Sequence, residues 1–353
     1  MGSKSRNLRS KFGLSGLALA AVAVTAVFAG CNSGGGSSGG DGSNSTDTPT
    51  NSADAGGESE IKAVVVGFTP TIVLPQALLG VEGGEYAKLI KGVEFSGAAY
   101  KAGSGVIEAL RAGTIHIGGS GPYPAAQAFA KAQDIVLLTN SANGGTEIMV
   151  SKTSNIKSVS DLKGKTVGVN QLGSTVDAMV RYNLIKAKLI PDTDVKILAI
   201  EPVEQAEALK KGEVAAVAAP APWASYTAIN GNGRPLLDWK AILDDGKYSA
   251  GSLYTTKKFA EANPNFIKKF IAANDALTKQ LNDDRVKGDA AVLAAWSKMS
   301  KKELKPDVAK AAFATIEYSN VIDLPGIQRF CDIAFEARIA KKKADLNGFV
   351  WKP

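Results

Sequence analysis

Histidine and cysteine are almost missing from this chain: one histidine, His116, and two cysteines, Cys31 and Cys331, occur in 353 residues. A single histidine excludes His-based catalytic dyads beyond that residue and any Cys/His zinc cluster. His116 sits in the alternating run "TIHIGG", where nothing marks it as a base. Cys331 lies in "IQRFCDIAFEARI", with Ile327, Phe330, Ala334 and Phe335 recurring at helical spacing, so it reads as a small buried hydrophobe. One such cysteine makes no disulfide framework. H-E-x-x-H does not occur, G-x-S-x-G falls only in the Gly/Ser-rich run at residues 35–40, where no strand-to-helix pattern makes an elbow, and Gly173 is followed by Ser174 and Thr175 without the lysine of a phosphate-binding loop. The expectation is a protein without metal or cofactor that is not an enzyme.

Two further absences divide the chain. Residues 1–30 contain no acid; Lys4, Arg6, Arg9 and Lys11 precede a stretch from Phe12 to Gly30 built almost entirely of Gly, Ala, Val and Leu. Small residues Ala29 and Gly30 then meet Cys31, the pattern of a lipoprotein signal peptide whose cysteine becomes the lipidated mature N-terminus. An uncleaved anchor helix is the alternative, because about 18 apolar residues are long enough to span a bilayer. Residues 31–60 lack any large apolar side chain and cannot build a core. They read as a flexible Gly/Ser/Thr-rich tether with a root-mean-square reach on the order of 30 Å.

The net charge is +7. The signal holds four of the 41 basic residues and the tether five of the 34 acids, so the remainder is slightly more basic than the whole. Its lysines are dispersed over helical segments such as "FIKKFIAANDALTKQ", which excludes a nucleic-acid footprint and leaves anionic small molecules and anionic surfaces as partners.

From Ile61 on, strand and helix patterns alternate, which argues for an α/β protein with parallel sheets flanked by helices. Strands are expected at "IKAVVVGF", "TIHIGG", "DIVLLTN", "EIMVSK", "KTVGVN", "DVKILAI" and "EVAAVA". Amphipathic helices are expected near 264–282, 289–299, 307–318 and 325–346. "EALRAGTIHIGG" and "EALKKGEVAAVA" share Glu-Ala-Leu-basic-x-Gly before an apolar strand, which implies two related units in tandem.

Ligands in open α/β sheets sit beyond the carboxyl ends of strands. The loop in "VGVNQLGSTVDAMVR" is one such end, where a strand breaks into a polar turn and an amphipathic helix begins at Ser174 or Thr175. Helix-start N–H groups with the hydroxyls of Ser174 and Thr175 suit a sulfonate, carboxylate or nitrate; the competing reading is a helix cap completed by Asp177. On neighbouring loops Thr69 and Gln171 supply hydrogen-bonding groups, and Ser104, Gly105 and Gly121 sit at helix starts. Phe68, Tyr123 and Trp223 supply aromatic faces for an organic body or, taken singly, pack at the rim. Lys101 is a charge beside the cleft or a solvated one, and Glu147 is a partner for a cationic amine or, as is commoner for a strand-end carboxylate near a hinge, a solvated one.

"GSGVIEALRAG", "SGPYP", "SVSDLKGKTVGV", "LGST" and "EALKKGEVAAV" followed by "PAPW" come in the order found in solute-binding proteins of the taurine, aliphatic sulfonate and nitrate class of ABC importers, which the chain resembles over most of residues 61–255. The resemblance departs at His116, where that class often has Asp, and at Trp223, which follows its proline instead of preceding it. It implies a two-lobed type II periplasmic binding protein fold with a helical C-terminal tail. Lobe 1 would take residues 61–148, lobe 2 149–250, and the return to lobe 1 251–353, with crossings near Glu147–Ser151 and Ser249–Tyr254. It further implies a monomer that carries a small organic anion to a permease from a lipid anchor at Cys31. A sensor subunit with the same cleft, or a site for nitrate, bicarbonate or a neutral heterocycle, is the alternative.

Overall fold

A computed structural model describes residues 61–353 apart from Asp245, Arg338 and Pro353. The signal, the tether and Cys31 lie outside the described residues. Two sheets carry the fold, one of six strands and one of five, and helices cover both.

The six-stranded sheet begins with β1 (Ala63–Phe68), which pairs in parallel with β2 (Glu94–Ala99) and with β3 (Ile117–Ser120). Between β1 and β2 the chain forms two short helices, α1 (Pro75–Val81) and α2 (Glu85–Leu89), separated where Gly84 takes φ +71°. Helix α3 (Gly103–Arg111) leads into β3, and α4 (Pro122–Ala132) follows it with Pro122 in its first turn, where a missing N–H costs nothing. β4 (Ile135–Gly144) then runs along the far side of the sheet.

The chain leaves this sheet at Gly144–Gly145, whose φ values of +79° and +78° are open to glycine and strained for other residues. The changeover thus precedes the Glu147–Ser151 stretch expected from sequence, because those residues already belong to β5 (Thr146–Ser151) of the second sheet. The second sheet adds β6 (Thr166–Val169), helix α5 (Thr175–Lys186), β7 (Lys196–Ala199), α6 (Pro202–Lys211), β8 (Ala216–Pro220), α7 (Trp223–Asn230) and β9 (Gly233–Leu237). Its order is β7-β6-β8-β5-β9, with β6 parallel to β7 and β8, and β5 antiparallel to both its neighbours. The chain returns before β10 (Ser249–Thr256), which inserts antiparallel between β3 and β4. Both sheets are therefore mixed, not purely parallel.

The repeated sequence unit is structural. α3 ends before Gly113 (φ +71°) and feeds β3, and α6 ends before Gly212 (φ +74°) and feeds β8. In each sheet the strand after that glycine pairs in parallel with the sheet's central parallel strand. A left-handed glycine just past the helix closes its last carbonyls and turns the chain back onto the sheet.

The C-terminal region is helical: α8 (Lys257–Ala262), α9 (Pro264–Asp283), α10 (Arg285–Ser300), α11 (Pro306–Phe313) and α12 (Leu324–Glu336). A short strand β11 (Ile316–Tyr318) pairs with β4, where the sequence pattern predicts a continued helix. α12 packs on α4 of the first half and on α5 of the second, and α11 packs on α7. The tail thus touches both halves. That is why α5, expected to be amphipathic, is buried from Thr175 to Leu184: β6 and β8 cover one side and α12 the other. Among the described residues no helix is long and apolar enough to cross a membrane.

Candidate functional site

The carboxyl ends of all six mutually parallel strands open onto one cavity of about 430 Å³. From the first half come Thr69 after β1, Ala99 at the end of β2, and Ser120 and Gly121 after β3. From the second come Asn170 after β6, Glu201 after β7 and Pro220 at the end of β8. Helices start at the same rim, since each parallel strand is followed by one. Gly103 of α3, Thr175 and Val176 of α5, Val203 of α6 and Trp223 of α7 all line the space.

The backbone N–H groups of Thr175 and Val176 have no hydrogen-bond acceptor among the described residues. They stand at the first two positions of a helix, where no carbonyl of the helix is available and the dipole is positive. Ser174 caps α5: its Oγ accepts from the Asp177 N–H at 3.1 Å and donates to Asn170 Oδ1 at 2.9 Å. The cap and the donor pair coexist, because the cap uses the third amide and leaves free the first two, which belong to residues that line the cavity. Asp177 itself turns away, accepting from the Gly173 N–H at 2.7 Å and from Arg181 Nε at 2.8 Å. Burial pushes its carboxyl up from the ordinary range, against the pull of Gly173 and Arg181.

Polar contacts join the two halves across the cavity. Gln171 Nε2 donates to Ser104 Oγ at 2.9 Å, and the Tyr123 N–H donates to Thr175 Oγ1 at 3.1 Å. Lys101 lies 3.6 Å from Glu201. Both of these side chains are exposed, so that ion pair is screened and weak. At Gly121 the approach is closest: a Cβ there would fall 2.3 Å from Thr175 Oγ1.

The apolar wall has Met179, Val203, Met299 and Trp223. Trp223 is held edge-on by Trp296 and Tyr226 at centroid distances of 6.2 and 5.8 Å. Trp296 is itself fixed by donating from its indole N–H to the Pro70 carbonyl at 2.9 Å. Lys302 Nζ sits 5.8 Å from the Trp223 ring and reaches the cavity from the tail.

Of the residues expected from sequence, Thr69, Gly121, Ser174, Thr175 and Trp223 line this cavity. Gln171 and Ser104 meet each other at its edge instead. Three expectations are corrected. Phe68 is fully buried in the core, because strand alternation puts it on the same face as Val64 and Val66. Gly105 is the third residue of α3 and does not line the cavity; a Cβ there would meet the Tyr100 ring instead. Tyr123 points behind α5 into a smaller cavity with Asp177, Arg181 and Phe330, and burial raises its phenol's pKa. Met179, Met299 and Lys302 were not expected, and the two from the tail carry no local signal.

Two other groups are structural. His116 Nδ1 accepts from the Val65 N–H at 3.0 Å, and burial lowers its pKa. Cys331 is buried and pushed up to about 12, the state of an inert thiol. Glu147 is not solvated as its strand-end position suggests: it is 7% exposed, on the face of β5 opposite Thr146. Burial, with Asp238 nearby, pushes its carboxyl up to about 7.

The profile of the NMT1-like family matches residues 57–296. The chain is 26% identical over 271 residues to a putative aliphatic sulfonates-binding protein of Escherichia coli (strain K12), covering 74% of this chain and 80% of that one. In structure it is similar to the alkanesulfonate-binding protein SsuA from Xanthomonas axonopodis pv. citri bound to MOPS, with a TM-score of 0.70 at 22% identity over 84% of this chain and 100% of that one. It is also similar to the periplasmic nitrate-binding protein NrtA from Synechocystis PCC 6803, with a TM-score of 0.67 at 15% identity over 80% of this chain and 83% of that one. Both likenesses carry the fold, a two-lobed type II periplasmic binding protein with a helical C-terminal tail. With its profile matched from before β1 into α10, this chain belongs to the NMT1-like family.

Proposed function

We propose that this protein is the extracytoplasmic solute-binding lipoprotein of an ABC importer, which holds a small organic anion, sulfonate-like or carboxylate, between its two halves and presents it to a permease. The observation that carries this reading is the pair of unpartnered amides at the start of α5, on residues that line a cavity bordered by other helix starts too. Lys101 and Lys302 add positive charge at the rim, and the only lining acid among the described residues, Glu201, is engaged by Lys101. The apolar wall of Met179, Met299, Val203 and Trp223 gives an organic body somewhere to rest. Both curated and structural relatives that bind sulfonates or nitrate are consistent with this use of the cleft. The protein acts as a monomer without cofactor, and turnover of the ligand is not part of its role.

A thermal-shift screen tests it with alkanesulfonates, short carboxylates, nitrate, bicarbonate and neutral heterocycles. A true ligand at about 100 times its dissociation constant stabilises the fold by about 2.7 kcal/mol. Stabilisation by an organic anion is the expected result, and stabilisation by a neutral compound alone would overturn the anion reading. Lipidation is tested separately by mass spectrometry: Cys31→Ser abolishes a lipid adduct and leaves ligand affinity unchanged, whereas an unmodified Cys31 behind an intact signal refutes the anchor.

A further inference from the structure

Beside the cavity lies a face that is apolar and cationic at once. Leu172, Phe335 and Ile339 are 50%, 42% and 47% exposed, three of the nine large apolar side chains that stand out to solvent among the described residues. Leu172 and Ile339 belong to one neighbourhood, because both border the same small cavity of about 130 Å³, and Phe335 lies on α12, whose Phe330, Ile333 and Ala334 line that cavity too. Next to it an open groove of about 650 Å³ is lined by Leu172, Arg111, Lys131, Lys341 and Lys342, with Glu108 as the acid in its walls.

Two of the five cations on this face are paired internally and three are not. Arg111 is held by Asp134 at 2.7 Å, and Lys343 lies 3.7 Å from Asp332. Lys131, Lys341 and Lys342 have no ion-pair partner among the described residues. Exposed Glu336 is the other acid at the end of α12. The balance is cationic, and the cations line the groove beside Leu172 instead of surrounding a closed socket.

We propose that this face seats on an anionic lipid surface, with Leu172, Phe335 and Ile339 at headgroup level and Lys131, Lys341 and Lys342 against the phosphates. A headgroup layer matches both features together, since it offers negative charge beside an apolar boundary. The groove takes its walls from α3 and α4 of one half and from the β6–α5 loop of the other, joined at the Ser104–Gln171 hydrogen bond. A surface that touches the face therefore touches both halves. The biological role of such seating rests on the proposed extracytoplasmic placement near a membrane; the face itself depends on no ligand in the cleft.

The test uses the chain from residue 31 onward with Cys31→Ser, so that no lipid anchor contributes. It is sedimented with vesicles of phosphatidylcholine alone and with added phosphatidylglycerol. Binding is expected only to the anionic vesicles, weakening with salt. Each lysine near such a surface contributes about fivefold, so Lys341→Glu with Lys342→Glu lowers affinity at least about 25-fold. Leu172→Asp with Ile339→Asp also weakens binding, whereas Lys210→Glu with Lys211→Glu at the end of α6 leaves it unchanged. No binding to anionic vesicles overturns the proposal, as does equal loss from the α6 variants. Docking of a purified protein partner on this face without vesicle binding overturns it too. The thermal-shift screen reads the cleft independently, so failure there bears on the proposed function and not on this face.

Discussion

Glu147→Gln is the substitution whose effect the structure fixes most tightly in sign. Glu147 follows the Gly144–Gly145 crossing and sits beside the Tyr248 hydroxyl, which both donates to the Thr146 carbonyl and accepts from the Thr146 N–H at 3.0 Å. Its carboxyl rises from 4.5 to about 7, first through burial and then through Asp238. The folded state therefore keeps a proton that the unfolded chain releases, and stability falls as pH rises from about 4.5 to about 7. At 1.36 kcal/mol per pH unit the full penalty is about 3 kcal/mol, present above about pH 7 and absent below about pH 4.5. Glutamine has nearly the same shape and no charge, so the variant escapes the penalty. Denaturant unfolding at about pH 5 and about pH 8 should show Glu147→Gln gaining about 2 to 3 kcal/mol over the wild type at the higher pH relative to the lower. In thermal scans that corresponds to about 6 °C. Identical pH dependence of the two proteins would refute the assignment of a buried, protonated carboxyl at this crossing.

Two further substitutions probe the contact between the halves and the support behind the site. Gly121→Ala places a methyl 2.3 Å from Thr175 Oγ1, so it should hold the halves apart and weaken ligand binding about tenfold or more, with less compaction in small-angle scattering at saturating ligand; an unchanged affinity would show that closure does not bring these residues together. Arg181→Met strands the buried Asp177 carboxylate and should cost about 3 kcal/mol or more in denaturant unfolding at neutral pH, while a loss below about 1 kcal/mol would mean that solvent or another partner already satisfies Asp177.

The elements with strong local patterns were legible. α9 was expected at 264–282 and runs Pro264–Asp283, and the paired Glu-Ala-Leu units become α3–β3 and α6–β8. β2 and β9 were not, because "EFSGAA" and "GRPLL" lie at sheet edges, expose much of their length and carry few β-branched residues. α12 ends at Glu336, short of the expected 346, since lysines 341–343 continue the composition of a helix without an apolar face to bury. At the site, sequence located the loops but not the directions of side chains. Thr175 and Trp223 fall where the strand-end rule puts them, whereas Phe68 obeys the alternation of its own strand and Tyr123 follows its helix to the back of α5. Met299 and Lys302 reach the cavity only because the tail folds back over it, a long-range fact with no local trace.

The central claim is that backbone amides at the start of α5 hold the anion, and Thr175 allows it to be tested one atom at a time. Proline is tolerated at the first helical position and follows an extended residue readily, as Ser174 is with φ −79° and ψ 168°, so Thr175→Pro deletes the amide donor while α5 persists. Thr175→Val removes the hydroxyl, and with it the bond from Tyr123, but keeps the N–H. Titration calorimetry with the tightest anion from the thermal screen should find Thr175→Pro weaker than Thr175→Val by about 1.5 to 3 kcal/mol, the worth of one hydrogen bond to a charged group. Equal affinities for the two variants would contradict the account, because the amide would then be a bystander.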